Sequence, residues 1–98
     1  MESLLGKLEA EAPISSGLLE GSIKLYQKGF SYDGPGINGK AHAYYKYIER
    51  LERLGELPLG KAEVRMVFFS TFGERFDVRF AINDQYFIEL KERKAGGV

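Results

Sequence analysis

There is no cysteine in this chain of 98 residues, which removes disulfides and thiolate metal sites from consideration. A single histidine cannot supply the usual zinc ligand set, so the sequence calls for no metal and no cofactor. Charge of one sign is missing as well: 14 basic residues balance 14 acidic ones, and no global field draws the chain to nucleic acid or to an anionic membrane. No apolar run approaches the roughly 18 residues of a membrane span. The first residues, Met1 to Glu11, are acidic where a secretory signal would be basic. These absences predict a cytoplasmic protein. The length, with 44% hydrophobic and 29% charged residues, suits one globular domain.

What is present divides the chain in three. Residues 1–20 read as an N-terminal arm, in which Leu4, Leu5 and Leu8 share one face of a short helix that Pro13 and Ser15-Ser16-Gly17 end. Residues 21–93 read as a single α+β domain, and residues 94–98 as a flexible tail. Within the domain, 22–32 alternates as a strand, with Ile23 and Leu25 on one face and Lys24, Tyr26 and Lys28 on the other. The alternation slips at Gly29, which reads as a bulge. Ala41, Tyr44, Tyr45, Ile48 and Leu51 then recur at helical spacing opposite His42, Lys46, Glu49, Arg50 and Arg53. That pattern predicts the main helix over 39–54, capped by Asn38 and stopped by Gly55 and Pro58. Three strand-like segments follow, 62–71, 75–82 and 85–92, joined at Phe72-Gly73-Glu74 and Asn83-Asp84 as an antiparallel meander. The expected architecture is one main helix packed on a four-stranded, mostly antiparallel sheet (β-α-β-β-β), with a short N-terminal helical arm.

Between the first strand and the helix lies Gly34-Pro35-Gly36-Ile37-Asn38-Gly39-Lys40-Ala41, one residue away from a P-loop. Its eighth position is Ala41, which has no hydroxyl for magnesium. The strand before it carries Lys24, Gln27 and Lys28 instead of a buried Val/Ile run, and no acid ends segment 62–71. The same glycines also fit G-x-G-x-x-G, but a dinucleotide fold needs a parallel doubly wound sheet. The expectation is a tight loop, with an anion-binding helix N-terminus at Gly36, Asn38, Gly39 and Lys40 as its functional version. His42 would stand in the first helical turn with no carboxylate at dyad spacing. No catalytic residue is assigned, and the enzyme reading ranks last. Of Tyr44, Tyr45 and Tyr47, helical periodicity sends the first two to the core and Tyr47 to its flank.

Two binding readings remain. Val67, Phe69 and Phe87 are large apolar residues on what should be the wet face of the meander, the pattern of a protein interface. They predict a protein-binding or regulatory module acting through a sheet face or edge, as a homo-oligomer or docked on a larger protein. The alternative is a single-stranded nucleic-acid domain using Lys24, Tyr26, Lys28, Arg65, Arg79 and Lys91. Glu63, Asp77 and Glu89, interleaved on the same face, argue against an electrostatic track.

Overall fold

Alternation at period two runs further along this chain than helical spacing does. In the computed structural model, which describes residues 2–96, seven strands form one antiparallel sheet in the order β4-β3-β2-β1-β7-β6-β5. They are β1 (Leu8–Ser16), β2 (Leu19–Tyr26), β3 (Gly29–Asp33), β4 (Lys40–Tyr44), β5 (Ile48–Leu57), β6 (Lys61–Phe69) and β7 (Arg75–Asn83). A one-turn helix α1 (Glu2–Leu5) precedes them and α2 (Asp84–Ala95) follows. The four-stranded sheet crossed by a central helix is therefore overturned at three places, each with a local cause.

The segment expected to be an arm contains β1, the middle strand of the sheet. Ala12 and Ile14 point inward between exposed Glu11 and Pro13, and β1 pairs with β2 along its length through a hairpin at Gly17-Leu18. Proline is tolerated here because β1 touches β7 only at Ile14↔Ile82 and Ser15↔Ala81. Beyond that point β7 ends and α2 begins, so no strand waits for the N–H that Pro13 lacks. The expected helix over 39–54 is β4, a 3-10 turn at Tyr45–Tyr47, and β5. Ala41, Ala43 and Tyr45 are buried at period two, a pattern that coincides with helical spacing over so short a run. The expected strand 85–92 is α2. Asn83 caps it by accepting from the Gln85 N–H at 3.1 Å, Asp84 lies in its first turn, and Arg93 and Lys94 lie in its last, as the helix dipole favours. The slip at Gly29 is a hairpin between β2 and β3 and not a bulge. Of the residues expected to form a tail, Lys94 and Ala95 belong to α2; Gly97 and Val98 lie outside the described residues.

The two halves of the sheet, β4-β3-β2-β1 and β7-β6-β5, turn their apolar faces to each other. Phe68 of β6 lies 5.1 Å from Phe30 of β3, ring centre to ring centre. Tyr32 lies 6.2 Å from Phe68 and 5.7 Å from Phe80. Helix α2 adds Phe87 and Leu90 to the same core. Its last turn is tied down by Arg93, which donates to Glu9 of β1 at 2.7 Å, to Glu89 at 2.8 Å and to the Tyr26 carbonyl at 3.1 Å. The Tyr45 hydroxyl donates to that same carbonyl at 2.6 Å, and its burial raises its pKa to about 12.

Candidate functional site

The sheet has two free edges, and they differ. β4 is 5 residues long, and its outer side is partly used: the Thr71 N–H donates to the His42 carbonyl at 2.8 Å. β5 is 10 residues long and pairs only with β6. Among the described residues no backbone hydrogen bond other than those to β6 involves residues 49–56, and a 3-10 turn at Pro58–Gly60 follows the strand. An unpaired strand of that length is a template for another chain.

Helix α2 forms a wall beside this edge. A shallow recess of ≈ 220 Å³ is lined by Glu49, Arg50 and Leu51 of β5 and by Lys91, Lys94 and Ala95 of α2. A second, of ≈ 280 Å³, is lined by Arg53, Glu56 and Leu57 of β5 together with Gly60, Lys61 and Asp84. Between them Arg53 bridges strand and helix, paired with Asp84 and 5.1 Å above the Phe87 ring. Ile88 is 47% exposed, and Leu54 and Leu57 are about as open. Ile88 falls on the helical stripe that runs from Asp84 to Lys91. The arrangement offers backbone donors and acceptors, an apolar strip and charges of both signs.

The residues singled out from the sequence are dispersed by the fold. Phe87 is in α2, 5% exposed and part of the core, so it lines no outer sheet face. Val67 does point outward from β6 but is fully covered, and Phe69 is 38% exposed. Charged neighbours crowd that face: Arg65 makes a bidentate pair with Asp77 at 3.0 and 2.7 Å. The interaction raises the pKa of Arg65 and lowers that of Asp77. The anion site rested on a helix N-terminus that does not exist. Gly36, Asn38, Gly39 and Lys40 belong to a β3–β4 hairpin, and the recess there is lined by Glu20 and Asp33 with no cation among its lining residues. Of the basic and aromatic set, Lys24 and Tyr26 lie on β2, Lys28 in the turn after it, Arg65 on β6, Arg79 on β7 and Lys91 on α2. Tyr26 is buried, and β1 separates β2 from β7. Arg65 and Arg79 stand directly opposite each other on β6 and β7, but the fold brings Lys24, Tyr26, Lys28 and Lys91 to no common strip with them. The β5 edge was missed because helical spacing hid it: alternation over 41–45 marks β4 alone, and β5, broken by two bulges, has no clean alternation of its own.

No protein-family model, curated protein or solved structure matches this chain. The functional reading therefore rests on the molecule's own geometry. No group of metal-ligating side chains assembles among the described residues. No helix among them is long and apolar enough to cross a membrane.

His42, on β4, is half-buried with its Nδ1 shut off from solvent and without a partner. Burial first, and then the charge of Lys40, hold its pKa below the ordinary 6.5. The unfolded chain therefore binds the proton more readily. Stability is unaffected by this group above about pH 6.5 and falls as the pH drops from there toward the folded-state value. Urea midpoints of the wild type and His42→Gln should run parallel above about pH 7 and converge or cross below about pH 6.5, the wild type losing more. Parallel profiles throughout would show an imidazole that titrates as if free.

Proposed function

We propose that this protein is a small intracellular protein-binding module that takes an extended polypeptide along the open edge of β5, beside α2. The observation that carries this reading is the pairing of a long unpartnered strand with a helix wall and recesses at both ends of the contact. Strand addition uses main-chain hydrogen bonds for affinity and side-chain recesses for selectivity. Leu54, Leu57 and Ile88 supply apolar contact, while Lys91, Lys94, Arg53 and Asp84 are placed to read charge on the added strand. The expectation of a sheet edge is kept from the sequence; the face of Val67 and Phe69 is left to its ion pairs.

Peptides selected from a random library on the immobilised protein provide the test. Added to isotope-labelled protein, they should shift backbone amides of residues 49–57 and 88–94 and leave β2 and β3 unmoved. Leu54→Lys should weaken them about tenfold. Binders whose footprints fall on the hairpin ends or the β1–β4 face would sink the reading.

A further inference from the structure

The sequence of the β5 edge is complementary to itself. Ile48-Glu49-Arg50-Leu51-Glu52-Arg53-Leu54, laid antiparallel to a second copy about a two-fold axis at Leu51, sets Arg50 against Glu52, Glu49 against Arg53 and Ile48 against Leu54. Each pairing occurs twice by symmetry, as in any isologous contact. Leu51 meets Leu51. We infer that the occupant of the β5 edge is a second copy of this chain, joined through β5 in this register into a sheet continuous across two protomers. The inference rests on the reading of β5 as a docking edge and names the partner.

Register is what separates this pattern from a strand merely blunted by charge. A shift of one residue brings Glu49 against Glu52, or Arg50 against Arg53. A shift of two places Arg50 or Glu52 on the axis against itself. Like charges directly opposite are destabilising at cross-strand distance. A shift of three restores the central ion pairs, but either confines the contact to residues 48–51 or sets Glu49 against Glu56. The two-fold register at Leu51 is thus favoured over its neighbours, which is how a polar edge can be selective instead of sticky.

The local geometry suits it. Bulges interrupt the pairing with β6 between Ile48 and Arg50 and again between Arg53 and Gly55, so residues 50–53 are the regular stretch and the two Arg50–Glu52 pairs about Leu51 carry the register, Glu49 and Leu54 being the bulged positions. Arg50 and Glu52 now pair with each other at 3.3 Å and are half exposed. Arg65, 3.7 Å from Glu52, keeps Asp77 as a second partner. In the dimer the two intrachain pairs become a ring of four alternating charges. A two-fold axis perpendicular to the sheet leaves both α2 helices on one face, beside the recess that Glu49, Lys91 and Lys94 line, with Glu49 itself paired to Arg75 at 3.6 Å. A contact of one strand per protomer is small, so the dimer is reversible and of micromolar strength.

Sedimentation equilibrium of the full chain from about 5 to about 500 µM tests the inference. The wild type should pass from monomer to dimer in that range. Arg50→Glu and Glu52→Arg should each remain monomeric, with association weakened about tenfold or more, because each places like charges opposite twice. An equimolar mixture of the two variants should form the heterodimer, since one chain then carries carboxylates at both positions and the other guanidinium groups, and every cross-strand pair is again of opposite charge. Rescue on mixing also shows that both are folded. A wild type monomeric throughout, or single variants that dimerise as the wild type does, overturns self-pairing. If selected peptides still footprint β5 in that case, the docking edge stands and only its partner is wrong; if they do not, both fall.

Discussion

Phe68→Ala is expected to lower the free energy of unfolding by about 3–5 kcal/mol, a large share of what a domain of this size possesses. The ring has no exposure and stands where the two halves of the sheet meet, with Phe30 at 5.1 Å, Phe76 at 5.4 Å and Tyr32 at 6.2 Å. Its surroundings cannot collapse into the space, because they belong to different strands, each held in register by its own ladder. The loss therefore includes the transfer energy of the ring and most of the cavity it leaves. Urea unfolding followed by circular dichroism would read it as a lower midpoint with an unchanged slope. A loss below about 1 kcal/mol would mean that the two faces do not pack around this ring.

Gly29→Ala should cost about 3 kcal/mol for a different reason, the collision of an added methyl with backbone. A Cβ at Gly29 would lie 2.2 Å from the Ala43 carbonyl oxygen of the neighbouring strand and 2.8 Å from Leu5 Cδ2. The leucine can turn aside, but the carbonyl is part of β4, so β3 and β4 would have to separate locally. Gly55 in β5 is the control. Nothing lies within 4 Å of a Cβ built there, and Gly55→Ala should be neutral or stabilise by up to about 1 kcal/mol, chiefly through the unfolded chain. Equal effects at the two positions would refute the close approach at Gly29.

The segments with one unambiguous period were legible in the sequence. β6 and β7 stand within a residue or two of 62–71 and 75–82, because Val64, Met66 and Phe68, and then Phe76, Val78 and Phe80, admit only alternation. Elsewhere two signals competed. Tyr44, Tyr45 and Ile48 fit a helical stripe only because a 3-10 turn sits between two strands and shifts the phase. In α2, the apolar run Tyr86-Phe87-Ile88 imitates a strand, while the features that decide for a helix are polar: the Asn83 cap, Asp84 at the start and Glu89 bonded to Arg93 one turn on. The β1 strand was obscured by Pro13, whose position is permissible only because the β1–β7 contact is so brief, a fact of topology that no local pattern carries. The alternating charges of β5 were in plain view, but helical spacing reads them as the solvated face of a helix, where Glu49 and Arg53 stand one turn apart.

Glu9 and Arg93 are partners separated by 84 residues, and β1 meets only the last strand of the sheet on its far side. On the ribosome this order sets a delay. The β1–β4 half can form its hairpins as soon as it emerges, yet Ile14, Ile23, Leu25, Phe30 and Tyr32 remain wet until β6, β7 and α2 have been made. The part of the eventual interior that β1–β4 supplies is thus carried as bare nascent surface until those later elements follow. Protection from aggregation matters most while the polypeptide is still being translated, before the helix that closes it has left the tunnel.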